Sequence, residues 1–503
     1  MPAPPCLPRL RLPVWRRVLP LVSLAGVLAL AACGGSGSPT ASDAPGAAAA
    51  TPAAATALVT APSTATVTPP AAAPTGQATA AAAAGSLSAP AWPRTGITAA
   101  ELAVVIIEGD SLSEAIGREY QRQRGIPEAN LVRVHLPAGS DLVSDTDFAR
   151  ARAQFEARVP AHVQATVLAF AQPSRVLGTN CAMSITSAMA FGYDAAWCGG
   201  CAHTRASPYF DAETSRPWTD LHLRPSMMLP AYSLAQAQAL IARGVQADGS
   251  RPRAEAWLVR TSDVARSVRY PDFEALPAAW AASQELAVHF ADALHLPLPG
   301  VADGRQNLMF YFTGAIQVPG LQSHQWLPGA VADHLTSYAG RLPDANGQMP
   351  ATQWLDAGAT GSYGSVEEPC NYTQKFPQAS VLIDHYLRGE TLIEAYWKSV
   401  AWPGQGLFIG EPLARPYAQE SSSGIDAAGA LWLQTRNLRR AARYDVQWQA
   451  DGQPAWQTLA GLQAGQPQAV SWRAPLPARS GQLRWLGPCV ADITRQCPLD
   501  SAP

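Results

Sequence analysis

From Gly96 onward the chain alternates short unbroken apolar runs with amphipathic stretches. Leu102–Ile107 (LAVVII) carries no polar alternation, the pattern of a strand covered on both faces. Asp110 or Ser111 caps a helix that runs to Arg124, where Gly125 stops it and Pro127 follows. Leu131–Leu136 (LVRVHL) predicts a second strand, 147–159 a second helix, and Ala165–Phe170 (ATVLAF) a third strand. Strand, helix, strand, helix, strand at this spacing implies right-handed crossovers and a parallel sheet. The pattern resumes with a helix over 234–243, with Ser233 as cap and Gly244 as stop, and strands over 256–260 and 307–312. Two helices close it, over 379–387 and 391–399, before a last apolar strand, 407–409. The expectation is an α/β fold over 96–418, doubly wound, with a mostly parallel sheet of flavodoxin-like type. Residues 177–230 lack periodicity and are rich in Cys, Gly, Pro and aromatics. They are expected to be an insertion over one edge or over the carboxyl ends of the strands.

After Asn437 the period changes to two. YDVQWQ, AVSW and QLRW alternate polar and apolar positions, with turn residues such as Ala450-Asp451-Gly452 between them. Residues 425–503 are expected to form a β-rich module, fibronectin- or immunoglobulin-like. Trp448, Trp456, Trp472 and Trp485 are assigned to its core rather than to a sugar platform.

The amino terminus sets the expected compartment. Arg9, Arg11, Arg16 and Arg17 precede an apolar run from Val18 to Ala32, too short to span a bilayer, which needs about 20 apolar residues. Basic then apolar is the layout of a signal peptide, here 1–32. It ends in Leu30-Ala31-Ala32-Cys33-Gly34, which resembles the bacterial lipobox. The resemblance implies cleavage before Cys33, lipid on that cysteine, and anchoring outside the cytoplasm, with the outer membrane favoured because Gly34 follows. Residues 33–95 are mostly Ala, Thr, Pro, Ser and Gly, a disordered tether with a reach of about 40–50 Å. The 48% hydrophobic content overstates the core, because tether alanines count toward it.

Charge changes little. A formal net charge of −2 and no basic run interleaved with aromatics give no footprint for nucleic acid. No cofactor is implied.

The cysteines carry more. Cys6 falls in the signal and Cys33 takes lipid, leaving Cys181, Cys198, Cys201, Cys370, Cys489 and Cys497. An even count in an oxidising compartment favours three disulfides. Cys489 with Cys497 would close a small loop, and one of the remaining bonds would tie the 177–230 segment to Cys370. Two other readings stand beside this one. Cys198-Gly-Gly-Cys201-Ala-His203 has zinc-site spacing, and C-x2-C is also a redox spacing. Cys370 as a nucleophile would need a histidine base, for which His385 and His334 are available.

Several blocks in order carry a resemblance: VIIEGDSLSEAIGREYQRQRGIPEANLVRV, SITSAMAFGYDAAWC, LVRTSD, YFTGAIQVPG, AGATGSYGSVEEPC and YLRGETLIEAYWKSVAWPGQGLFIGEPLARPY. Together they resemble an uncharacterised bacterial family of secreted or lipid-anchored proteins found beside exosortase-type protein sorting. More distantly, the order of elements is similar to gingipain-type peptidases of caspase-like fold, whose Gly-Asp-Pro turn would be Gly410-Glu411-Pro412 here. Those peptidases take a histidine and a cysteine from successive strand ends. Here ATVLAF runs into Ala171-Gln172-Pro173 and NLMFYF into Thr313-Gly314. The resemblance therefore implies a caspase-like body without the dyad, a binding or assembly factor with an unknown protein or polysaccharide partner in the envelope.

Parallel α/β sheets bind ligands beyond the carboxyl ends of their strands. Those ends offer Glu108, Arg260, Thr261, Asp263, Thr313, Gly314, Glu367, Glu368 and Glu411. Arg260, Asp263, Thr313, Gly314, Glu368 and Glu411 are the expected cleft. Glu367, Glu368, Cys370 and His385 are the candidates for catalysis if the protein is a peptide or glycan hydrolase. The competing account gives Glu367 and Glu368 a helix cap or an ion pair with Arg260 or Arg415.

Overall fold

The computed structural model describes residues 95–499 except 138, 296–302, 420, 464–469, 478–479 and 490–492. The signal, Cys33 and nearly all of the tether lie outside the described residues. No helix among the described residues is long and apolar enough to cross a membrane.

The body begins with β1 (Leu102–Ile107), α1 (Ser111–Arg124), β2 (Leu131–Val134), β3 (Leu142–Ser144), α2 (Asp145–Glu156) and β4 (Ala165–Leu168). It continues with β5 (Arg175–Leu177), β6 (Ala182–Ser184), α3 (Ile185–Phe191), α4 (Pro217–Leu221), β7 (Ser226–Met228), α5 (Leu234–Ala247) and β8 (Ala254–Arg260). Then come α6 (Tyr270–Ala279), β9 (Leu286–Asp292), β10 (Leu308–Gly314), β11 (Trp326–Leu335), α7 (Thr352–Ala357) and β12 (Gly361–Ser365). Helices α8 (Ala379–Leu387) and α9 (Leu392–Ser399) and strand β13 (Gly406–Gly410) complete it.

Among the described residues, ten of these strands form one sheet in the order β2-β1-β4-β7-β13-β12-β11-β10-β8-β9. β2, β1, β4 and β7 are mutually parallel, as are β12, β11, β10, β8 and β9. β13 pairs antiparallel with β12 over five residue pairs, from Gly361–Gly410 to Ser365–Gly406. It meets β7 through a parallel bridge of one residue pair, Ile409–Met228; the relative direction of the two blocks is set instead by the contacts between their loops. The segments leaving β4 and β11 are hydrogen-bonded to each other: Gln172 Nε2 donates to the Leu342 carbonyl and the Leu342 amide donates to Ser174 Oγ, both at 3.3 Å. The carboxyl ends of β4 and β11 therefore lie together at one edge of the sheet.

Local chemistry explains the elements that the periodicity predicts. All six residues of β1 are buried, between the paired strands β2 and β4 and under α1. Asp110 accepts from the amides of Leu112 and Ser113 to start α1, and Gly125 in the left-handed region stops it. Thr391 and Glu394 form a reciprocal capping box at the start of α9. Two expectations need correction. Gly244 does not stop α5, which runs on to Ala247; a side chain there would overlap the Glu411 carboxylate. Residues 177–230 are not simply an insertion: they supply α3, which packs on the sheet, and end in β7, a central strand.

The C-terminal region is a small antiparallel all-β module. Its strands are β14 (Ser422–Ile425), β15 (Ala430–Thr435), β16 (Arg443–Gln449), β17 (Gln457–Gln463), β18 (Val470–Pro475), β19 (Gln482–Pro488) and β20 (Gln496–Pro498). They form a sheet β14-β15-β18 and a sheet β17-β16-β19-β20 around Leu431, Leu433, Val446 and Trp485. Trp448 is also buried, but Trp456 and Trp472 are half-exposed, with Arg484 stacked 4.0 Å over Trp456.

Candidate functional site

Six cysteines form three disulfides: Cys181–Cys198, Cys201–Cys370 and Cys489–Cys497. Cys198 and Cys201 thus bond to different partners, so the zinc reading of Cys198, Cys201 and His203 is corrected: neither sulfur is a free thiolate ligand. His203 is exposed and packs instead against the rings of Tyr372 and Trp402, each 5.0 Å away. The sulfur of Cys370 is likewise engaged, which removes it as a nucleophile in the bonded form.

The two glutamates brace this clasp. Glu367 Oε2 accepts from the amides of Ala182 and Gly200, both at 3.3 Å. Glu368 Oε1 accepts from the Cys370 amide at 2.9 Å. Neither pairs with Arg260 or Arg415. Lys375 is buried beside them, donating to the carbonyl of Gly200 and, at 2.7 Å, to Gln405 Oε1. Burial pushes the Lys375 ammonium down to about 8, against the opposing pull of Glu367 and Glu368.

The expected cleft is not assembled. Arg260 pairs with Asp292 at 3.2 Å and lies 3.9 Å over the Tyr270 ring. Asp263 pairs with Arg266 at 2.8 Å. The Thr313 carbonyl accepts from Arg269 at 2.6 Å, and its hydroxyl donates to the Val259 carbonyl. Gly314 passes so close to Arg266 that a Cβ would overlap its carbonyl. These four hold loops together. Glu411 lies at the other edge: β13 runs antiparallel to β12, so its end meets Thr360 at the start of β12. There Glu411 accepts from Tyr120 at 2.6 Å and binds Arg124. Glu108 is at the sheet's margin, 3.2 Å from His135.

His385 is not a partner of Cys370 either. Its Nδ1 faces Glu390 at 2.9 Å and its Nε2 faces Asp211 at 3.0 Å, with the ring fully buried. The network extends to Lys398, which pairs with Glu390 at 2.8 Å, and to Arg388, which pairs with Glu213 and Asp384. Arg439, just before β16, bonds to both Asp211 and Glu213 and ties the β-module to the body. Burial alone would push the His385 imidazole down, and Lys398 adds to that. The carboxylates of Glu390 and Asp211 at its two nitrogens outweigh both and hold it above its usual value. Burial likewise opposes ionisation of Glu213, yet Arg388, His385 and Arg439 bring it down to about 2.

These shifts predict a stability plateau. The raised His385 contributes fully below its unfolded value of 6.5 and loses that contribution as pH rises through its folded value. The depressed Glu213 contributes fully above 4.5 and loses it as pH falls toward about 2. Thermal unfolding across pH should show highest Tm between 4.5 and 6.5, with an alkaline limb that is absent in His385→Gln.

At the edge where β4 and β11 end, a groove of about 470 Å3 opens beside the glutamate clasp. Its walls are the loop before β3 (Gly139–Asp141), the exit from β4 (Gln172, Arg175) and the loop after β11 (Arg341–Asn346). Arg341 donates from Nε to the Val366 carbonyl at 2.8 Å and sits 4.2 Å over the Tyr338 ring. Arg175 spends Nε and Nη2 on Asp141, at 3.0 and 2.9 Å. Neither arginine was among the expected site residues. Arg341 lies in YAGRLPDANG, a turn-rich stretch whose preceding strand, β11, has no clean period. A second groove runs along α2 past Tyr193, Trp218 and His222, but its cations Arg150 and Arg152 pair with Asp147 and Glu156.

No protein-family profile matches the chain, and no curated protein matches it. A solved structure described as "Structure of Protease" is similar at 11% identity and a TM-score of 0.37, covering 80% of this chain and 97% of that one.

Proposed function

We propose that this is a lipid-anchored, non-catalytic envelope protein with a caspase-like body, which binds a partner at the carboxyl edge of its sheet. The observation that supports it is the fate of the two residues best suited to nucleophile and base. The sulfur of Cys370 is spent on Cys201, and His385 is locked between Glu390 and Asp211. No thiolate–imidazole pair forms from them. Three disulfides fit an oxidising compartment, in keeping with a Cys33 anchor. A role in exported-protein sorting or exopolysaccharide assembly rests on the sequence blocks that resemble the exosortase-associated family. A fibronectin- or immunoglobulin-like identity for the β-module belongs to the same proposal.

The test is a panel of peptide and glycan substrates offered to the full-length protein in detergent, with Glu368→Ala as comparison. No turnover above the buffer blank in either protein is expected. Turnover by the wild type that a folded Glu368→Ala variant loses would establish the hydrolase reading instead.

A further inference from the structure

We propose that the groove between Arg175 and Arg341 binds an acidic sugar, a uronate unit of a polysaccharide, with its carboxylate seated on the guanidinium of Arg341. This deepens the binding role proposed above and rests on it.

Three observations carry the assignment. The first is position. The groove lies beyond the carboxyl ends of β4 and β11, where parallel α/β sheets bind ligands, and its volume falls in the range of about 300–1,000 Å3 usual for small-molecule sites.

The second is unspent donor capacity on a fixed arginine. The guanidinium of Arg341 is held by the Val366 carbonyl and the Tyr338 ring, so little ordering is left to do on binding. Among the described residues no carboxylate forms an ion pair with Arg341, and its terminal amino groups remain for a bidentate contact. Its charge is undercompensated. Burial and the neighbouring Arg175 lower its pKa, and Tyr338, Asp141 and Glu367 do not make up the difference. An arriving carboxylate would supply that missing charge. Arg175, paired with Asp141 through Nε and Nη2, leaves Nη1 as a further donor at the same wall.

The third is the rest of the lining. Gln172, Asn346, Asp141 and Asp344 offer amide and carboxylate groups suited to sugar hydroxyls, while Pro343 is the exposed apolar surface. A bulky apolar side chain of a peptide would find little to bury. A ligand that joins one carboxylate to several hydroxyls matches the whole wall.

The experiment is titration calorimetry of the full-length protein in detergent with trigalacturonate, its neutral galactose counterpart and poly-glutamate. The wild type should bind trigalacturonate at least tenfold more tightly than the neutral sugar, and less tightly as salt is raised. Arg341→Ala should lose at least tenfold, and Arg341→Lys should recover only part, because a point charge replaces a fork. Asp344→Asn, on an exposed loop, should tighten acid binding several-fold by removing a like charge. Unfolding temperatures establish that each variant is folded. Equal affinity for acid and neutral sugars overturns the proposal, as does unchanged affinity in both Arg341→Ala and Asp344→Asn. Binding of poly-glutamate without trigalacturonate overturns it in favour of an acidic peptide. Absence of all binding in a protein that also turns nothing over removes the sugar site alone. New reducing ends from bound trigalacturonate would instead remove the non-catalytic reading and leave the site.

Discussion

Serine in place of Cys201 lowers the unfolding free energy by about 3–5 kcal/mol. Cys201–Cys370 joins positions 169 residues apart, so its loss returns a long closed loop's worth of freedom to the unfolded chain. Cys201 is exposed, so the substitution empties no packed volume, and the change is read as the cross-link itself. Cys489–Cys497 spans a separation of only eight, and its removal should cost about half as much. Denaturant unfolding without reductant measures both. A Cys201→Ser midpoint indistinguishable from wild type would mean that the bond does not constrain the folded protein. The double variant Cys201→Ser/Cys370→Ser keeps the comparison free of a stray thiol.

Glu390→Gln should cost a similar amount, about 3–5 kcal/mol, for a different reason. Glu390 faces His385 at 2.9 Å and Lys398 at 2.8 Å, and both of those cations are fully buried. Glutamine is nearly isosteric but carries no charge, so two cations remain inside with less compensation. The carboxylate of Glu390 is held well below the usual range, the mark of a group needed in its charged form: burial opposes it, and His385 and Lys398 overcome that opposition. The loss should be largest at acid pH, where His385 is fully protonated, and smaller where it can release its proton. A loss below about 1 kcal/mol at pH 5 would show that the network is screened by water rather than closed.

Much of the framework is legible in the chain because its signals are local. β1 announces itself by six successive apolar residues, and α1 by Asp110 and Gly125 at its ends. Helices α8 and α9 are equally plain, the second carrying its own capping box. The missing strands are those whose identity depends on distant partners. β7 is three residues, Ser226–Met228, flanked by Pro225 and Pro230. β11 contains Pro328, Gly329, Asp333 and His334, residues that break any simple period; Asp333 is tolerated because buried Arg269 faces it at 2.6 Å.

β12 is the most instructive. GSYGS has the small-residue look of a loop poised to receive a ligand. The strand is wholly buried instead. A Cβ on Gly364 would crowd Ala339 and Gly340, and one on Gly361 would crowd Leu392 and Tyr396. What those glycines admit is the protein's own chain. The candidate cleft dissolved for a related reason. Strand ends can be counted from sequence, but their edge cannot, and Glu411 sits at the end of a strand that runs the other way from its partner. Of the groove's arginines, Arg341 follows β11, which no simple period marks, and Arg175 lies past the predicted end of β4.

β13 has a consequence for how the molecule comes into being. Residues 406–410 take their place between β7 and β12, so the two blocks of parallel strands have no seam until residue 410 has been made. Until then each block presents a raw flank of unpaired amides and carbonyls to any passing chain. Such distant pairing makes assembly slow and keeps those flanks open for as long as β13 is missing.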